Sequence, residues 1–247
     1  MSRRPTYRTQ AIVLRSWRLG EADRIISLLT RDHGKLRAVA KGVRKTKSRY
    51  GALLEPGSHV ELMLYPGREL DTVTQVLTLD RMAQLRTDLE RIGRASIMLE
   101  TAEYVAIDRE PQPELYQLVL GALRTLDAGD RPLLLAGFLF KLLVAEGVGP
   151  ALGHCTGCGT TQDLVAIDAA TSGARCRRCR GGTPLPPDGF GLLQLMTTGR
   201  LGLALQEPAS YLTQTLEHLA TGCMEHHLER QLRSAAYSLA PTPVGLG

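Results

Sequence analysis

The chain has 247 residues, of which 43% are hydrophobic, and it carries 30 Lys and Arg against 25 Asp and Glu. This composition excludes a disordered chain, and no apolar run reaches the roughly 18 residues that a membrane span needs. The positive charge is concentrated at the start, since residues 1–80 carry 15 Lys and Arg against 8 Asp and Glu, leaving 15 against 17 for the rest. We therefore expect an acidic partner for the first third of the chain.

This first third has the pattern of short strands separated by turn residues. Two of the turns, at residues 32–35 and 66–69, contain glycine, which adopts positive φ angles easily. Five strands within about 75 residues match the size of an OB-fold β-barrel, which we assign to residues 1–80. The predicted strands cover residues 9–19, 23–31, 34–42, 58–66 and 69–79.

After residue 80 the apolar residues recur at helical spacing, which predicts an α-helical bundle. The fold class is therefore α+β, with a helical domain formed by residues 81–151 and 184–247. The stretch at 131–147 is apolar nearly all round and is expected at the centre of the bundle. Prolines in "TPLPPDGFG", residues 183–191, indicate a linker. The predicted helices cover residues 81–110, 113–129, 131–147 and 208–239.

Two C-x2-C pairs indicate a metal site in an insertion at residues 152–183. The pairs are separated by 17 residues, which is within the range for a four-cysteine zinc site. Four thiolates close the tetrahedron around Zn2+ and leave no position for a catalytic water, so one structural Zn2+ per chain is expected. The predicted ligands are Cys155, Cys158, Cys176 and Cys179.

Four arginines surround the second of these pairs, at positions 175, 177, 178 and 180. They have two explanations, which are direct contact with DNA and compensation of the net −2 charge of a zinc tetrathiolate. We favour charge compensation. Cys223, His226 and His227 on the last helix resemble a second metal site, but consecutive histidines point about 100° apart on a helix, so we interpret them as helix surface.

The stretch "AKGVRKTKSRYG", residues 40–51, is the basic segment, and it follows a strand in which Lys35, Arg37 and Lys41 share one face. Lysines on an edge strand also protect against aggregation, but so many cations without one acid favour nucleic-acid phosphates. The candidate DNA-binding residues are Lys35, Arg37, Lys41, Arg44, Lys45, Lys47, Arg49 and Tyr50.

Aromatic residues make up only 4% of the chain, so few side chains are available for base stacking. We therefore expect binding by phosphate charge, with similar tolerance of single and double strands. Trp17 is interpreted as a core residue. No phosphate-binding loop, H-E-x-x-H motif or nucleophile elbow occurs, so the chain is not expected to be an enzyme.

Several linked elements between residues 19 and 75 resemble the family of the bacterial recombination mediator RecO. They are Gly20-Glu21-x-Asp23, His33-Gly34-Lys35, Lys41-Gly42-x-Arg44-x3-Ser48-Arg49 and Gly67-Arg68-Glu69-Leu70. The helical remainder and the four-cysteine insertion are also similar to that family, so the resemblance covers nearly the whole chain.

The resemblance implies a mediator of DNA repair and homologous recombination that binds single- and double-stranded DNA (ssDNA and dsDNA) and anneals complementary strands without ATP. It also implies that RecR is a partner in loading RecA onto DNA coated by single-stranded-DNA-binding protein, whose acidic tail some members dock on the helical domain. The family's basic surface maps onto the candidate DNA-binding residues, and its zinc ligands onto the four cysteines. An N-terminus without the apolar core of a signal peptide agrees with a place in the bacterial cytoplasm, near the nucleoid.

Two alternative functions are those of a zinc-ribbon OB-fold protein that binds RNA or regulates transcription, and of a zinc-dependent nuclease.

Overall fold

A computed structural model describes residues 5–45, 48 and 50–238, and the side chains up to residue 236. The contacts divide the chain into two compact units, Met1–Ala128 and Gly129–Gly247. The predicted domain limits at residues 80, 151 and 183 stay a prediction. Across the described residues, no helix is both long and apolar enough to span a bilayer.

The first unit contains five strands, β1 (Tyr7–Leu19), β2 (Asp23–Thr30), β3 (Gly34–Ala40), β4 (His59–Tyr65) and β5 (Asp71–Asp80). They form a closed barrel in the order β1-β2-β3-β5-β4, which confirms the predicted OB-like fold. β3 and β5 pair in parallel and close the barrel together with the antiparallel β1 and β4. Small and branched side chains such as Val13, Leu28 and Ala38 fill its core. A 3-10 turn at Ala52–Leu54 lies between β3 and β4.

An irregularity in β1 reverses the direction of its side chains. Val13 pairs with Leu28 and Arg15 pairs with Ser27, so Leu14 is an extra residue on β1. Because side chains alternate along a strand, one inserted residue moves every later side chain to the opposite face. Val13 therefore points into the core, whereas Trp17 lies on the outer face, and its interpretation as a core residue is wrong.

The first unit also contains α1 (Leu89–Val105) and α2 (Pro113–Ala128), preceded by a 3-10 turn at Ala83–Arg86. α1 packs against β1 and β2, and its Glu103 carboxylate accepts a hydrogen bond from Ser27 Oγ at 2.5 Å. Beyond α1, the chain pairs with β3 through Lys35, whose N–H donates to the Ile107 carbonyl at 3.1 Å. The barrel and these helices therefore form one packed body.

Asp71, at the start of β5, is completely buried and joins three parts of this unit. Its carboxylate accepts hydrogen bonds from the Tyr7 hydroxyl, from Arg109 Nη2 at 2.9 Å and from the Gly67 N–H at 3.1 Å. Burial alone would raise the pKa of Asp71, but these three donors outweigh it and hold the pKa below its ordinary value near 3.8.

Replacing Asp71 by Asn is expected to lower the free energy of unfolding by about 2 kcal/mol at pH 7, because the buried carboxylate loses its charge-assisted hydrogen bond from Arg109. Since the pKa of Asp71 is lowered by folding, its contribution is present above about pH 4 and disappears as the pH falls through the folded value. Urea unfolding at pH 7 and at pH 3 measures both effects. The exposed Asp32→Asn variant is the control, and equal losses in the two variants would contradict this role for Asp71.

The second unit is built around α3 (Leu134–Ala145), which has nine buried residues. It contacts two later helices, α4 (Pro187–Thr197) and α6 (Tyr211–His227). Its central position agrees with its apolar sequence. α4 begins at Pro187, within the stretch predicted as a linker, because proline fits the first turn of a helix, where its missing N–H is not needed. The remaining elements are β6 (Leu164–Asp168), β7 (Gly173–Cys176), β8 (Thr183–Pro184), α4 (Pro187–Thr197), α5 (Leu201–Ala204), α6 (Tyr211–His227) and α7 (Arg233–Ser238).

Candidate functional site

The candidate DNA-binding residues begin on β3, where burial alternates along the strand. Leu36, Ala38 and Ala40 are buried in the barrel core, and Arg37 is exposed on the opposite face. This alternation follows from the pleat of a strand in a closed barrel, which has one apolar interior and one outer face. β3 thus presents cationic side chains on the outside of the barrel.

The Lys35 side chain interacts with other residues of the first unit. Its ammonium group donates a hydrogen bond to the Glu103 carbonyl at 2.8 Å and lies 3.4 Å from the Asp108 carboxylate. Only 18% of its side chain is exposed. Lys35 therefore joins β3 to α1 and the segment after it, and little of its side chain is available to DNA.

Arg37, Lys41 and Lys45 have the opposite surroundings. All three are exposed, and none forms an ion pair with the described residues. Arg37 lies on β3, whereas Lys41 and Lys45 lie in the turn that follows it. These three cations are the accessible part of the predicted surface.

Arg44 connects the basic segment to the turn between β1 and β2. Its Nη1 donates to the carbonyls of Gly20 at 3.1 Å and Glu21 at 2.9 Å, and its backbone N–H donates to the Ala22 carbonyl. Tyr50 is half-buried and packs against the barrel core. Lys47 and Arg49 lie outside the described residues.

Arg15 is a further exposed cation on this side of the barrel, outside the predicted set of DNA-binding residues. It pairs with Ser27 of β2, which pairs in turn with Arg37 of β3, so Arg15 and Arg37 are at the two ends of one row across three strands. The Arg15 guanidinium carbon is 5.7 Å from the centre of the Trp17 ring, a cation–π distance. The bulge at Leu14 brings both side chains to the outer face, and no sequence signal marks it.

The four cysteines form a separate site in the second unit. The first pair lies in a turn closed by the Gly159 N–H, which donates to the Cys155 carbonyl at 2.8 Å. The Thr156 N–H donates to the Ala174 carbonyl at 2.9 Å, and this bond holds the first turn against β7. Since β7 ends at Cys176, the two pairs meet.

The sulfur positions fit one metal ion. All four Sγ atoms lie within 4.8 Å of one another, and Cys158 and Cys176 are separated by 3.7 Å. A tetrahedral ion with metal–sulfur bonds of about 2.3 Å places its ligands about 3.8 Å apart. These four residues, predicted from their spacing, can therefore bind a metal ion together.

The electrostatics of the cysteine cluster favour a bound cation. The Cys176 N–H donates to Cys155 Sγ at 3.4 Å and, as the main cause, lowers the pKa of the Cys155 thiol to about 6. Hydrogen bonding with Cys158, Cys155 and Cys176 raises the pKa of Cys179 to about 12, because its proton is shared with neighbouring sulfurs. Four thiolates at this distance repel one another, and a central cation removes that repulsion.

Two of the four arginines near the cluster have partners in the same module. Arg175 donates to the Asp168 carboxylate through Nε at 3.2 Å and Nη2 at 2.6 Å, and the Arg178 side chain hydrogen-bonds to Cys158. Charge compensation of the cluster thus agrees with the positions of Arg175 and Arg178. Arg177 and Arg180 are exposed.

Comparison with protein families gives two matches that follow one another along the chain. The family model described as "Recombination protein O N terminal" matches residues 1–82, which contain the barrel. The model described as "Recombination protein O C terminal" matches residues 86–236, which contain the helices and the cysteine cluster. The chain belongs to the recombination protein O family.

Membership of the recombination protein O family supports a role in DNA repair and recombination, with DNA binding as part of it. The fold agrees with this, since OB-like barrels commonly bind oligonucleotides on the outer face of their middle strands. The cysteine cluster lies within the C-terminal match and is compatible with zinc.

Proposed function

We propose that this chain is a non-catalytic mediator of recombinational DNA repair. It binds ssDNA and dsDNA on the outer face of the barrel and anneals complementary strands. With RecR it helps to load RecA onto DNA coated by single-stranded-DNA-binding protein, in the bacterial cytoplasm near the nucleoid. The single observation that carries the proposal is the group of exposed cations at Arg37, Lys41 and Lys45 in a family that acts on DNA.

These cations attract phosphates and screen the repulsion between two strands. Each phosphate that a Lys or Arg neutralises releases condensed counterions, so binding weakens as salt rises. Arg44 supports the arrangement because its three hydrogen bonds to residues 20–22 fix the start of the basic segment. Lys47 and Arg49 are further proposed phosphate contacts. Tyr50 packs against the barrel core and Lys35 hydrogen-bonds to the Glu103 carbonyl, so both act mainly by supporting the unit.

The cysteine cluster binds one Zn2+ per chain in a structural role. Four thiolates complete a tetrahedral coordination and leave no open position for water. A zinc-dependent nuclease requires such a position. The ion therefore fixes the fold of the cysteine module and takes no part in a reaction.

Strand annealing tests the proposed function directly. We expect the purified chain to accelerate pairing of two complementary oligonucleotides without ATP, and to do so on strands coated by single-stranded-DNA-binding protein when RecR is present. DNA affinity should fall linearly with salt on a log–log plot, with a slope of about 0.7 per phosphate neutralised on a single strand. A flat salt response or the absence of annealing would refute the mediator, and tighter binding of RNA than of DNA would favour an RNA-binding protein.

A further inference from the structure

A row of apolar side chains crosses the outer face of the barrel beside the exposed cations. Trp17 of β1 pairs with Ile25 of β2, which pairs with Val39 of β3, and we call these three residues the outer row. All three are half-buried and lie outside the barrel's core cluster. With neighbouring strands about 4.8 Å apart, the outer row is about 10 Å long, which suits a flat aromatic ligand.

Cations lie on both sides of the outer row. Arg15 and Arg37 are two residues before Trp17 and Val39, and Lys41 is two residues after Val39, which corresponds to about 7 Å along a strand in each case. Between the two arginines, Ser27 Oγ binds the Glu103 carboxylate at 2.5 Å. Arg15, Arg37 and Lys41 form no ion pair within the described part of the chain.

We propose that the outer row is a base-stacking surface for ssDNA, with bases on Trp17, Ile25 and Val39 and phosphates on Arg15, Arg37 and Lys41. This inference rests on the proposed function and adds a preference for single strands. Unpaired bases expose a planar face that packs on an indole ring, whereas a duplex encloses its bases and offers mainly phosphates to such a surface. The cations beside the row match the phosphates of a nucleic acid better than the apolar patch of a protein.

The Arg15–Trp17 contact supports this role. The Arg15 guanidinium lies over the Trp17 ring, with its carbon 5.7 Å from the ring centre, so one face of the indole already accepts a planar group. A stacking base takes the place of the guanidinium on this face, and the released guanidinium binds the phosphate of the same nucleotide. Asp23 pairs with Leu19 at the end of β1. Its carboxylate accepts a hydrogen bond from the Gly42 N–H at 2.7 Å and is therefore already bound to the backbone of the basic segment.

Trp17 is the only tryptophan in the chain, so its fluorescence reports on this surface alone. We would titrate the parent protein with an oligo(dT), with an abasic strand of the same length and with a duplex of that length. Saturation with oligo(dT) is expected to quench the emission, and the abasic strand and the duplex are expected to leave it nearly unchanged.

Affinity measurements on variants with fluorescently labelled DNA complete the test. Trp17→Ala is expected to weaken oligo(dT) binding roughly tenfold while leaving abasic and duplex affinities within twofold, and Trp17→Phe should retain most of the affinity. Tyr65→Ala is the matched control, because Tyr65 is a 39% exposed aromatic residue on β4 of the same barrel and lies outside the outer row. It should bind all three strands like the parent.

The outcomes separate this inference from the function on which it rests. Unchanged emission at saturating oligo(dT), or equal losses on all three strands in Trp17→Ala, would overturn stacking while leaving DNA binding in place. Failure of the parent protein to bind any of the strands would instead overturn the proposed function.

Discussion

Replacing both Cys176 and Cys179 by serine is expected to reduce the bound metal from one equivalent to none and to unfold the module of residues 152–183. Binding of a structural zinc ion contributes on the order of 10 kcal/mol to the fold around it, and two serines cannot replace two thiolates. Metal analysis of the purified variant and its melting temperature, measured with and without a chelator, provide the test.

Cys223→Ala is the matched control, because Cys223 is the fifth cysteine, is buried on α6 and is not one of the four clustered residues. It should keep one equivalent of metal and its sensitivity to the chelator. Unchanged metal content and melting in the double serine variant would refute the structural role of the cluster. A folded variant that retains DNA affinity within twofold but has lost its metal would separate the cluster from DNA binding, as we propose.

Replacing Arg37 and Lys41 by glutamate is expected to weaken DNA binding at least tenfold at low salt, on single and double strands alike. Two phosphate contacts are lost and two repulsive charges are introduced, so the salt slope on a single strand should fall by about 1.4. Because both side chains are exposed, the stability of the barrel should change little. Affinity at several salt concentrations and the melting temperature measure these effects.

A variant with Arg68→Glu and Arg81→Glu is the matched control. It has the same change in net charge, and both residues are exposed in the same unit but lie outside β1, β2 and β3. If binding depends on where the charge lies, this control should lose no more than about threefold through long-range electrostatics. Equal losses in the two variants would show that total charge matters and the β3 surface does not.

The barrel could be predicted because its strands carry a regular pattern of two-residue period between turn residues. That pattern is also the reason for the error at Trp17. Counting from Val13 in steps of two places Trp17 inside, and only the extra residue at Leu14 moves it outside. A bulge is a feature of pairing between strands, so one strand read alone does not show it.

The two candidate sites differ in how far apart along the sequence their interacting residues lie. The cysteine ligands were predictable because each C-x2-C turn is defined by a few neighbouring residues. The accessibility of the cations could not be predicted from neighbouring residues. Lys35 interacts with Glu103 and Asp108, which lie about 70 residues further along the chain. Proline was also misleading at residue 187, where its role in starting α4 depends on the packing of the helix that follows.

The Asp71–Arg109 ion pair has a consequence for modularity. A fragment that stops where β5 ends would contain a buried carboxylate without its guanidinium, and Lys35 would lose its partners Glu103 on α1 and Asp108 after it. The β-barrel therefore depends on residues that follow it in the sequence, and we do not expect it to be transferable to another protein by itself. An exchange with a relative that keeps these contacts would join the two chains after α2, near residue 128, where the first unit ends.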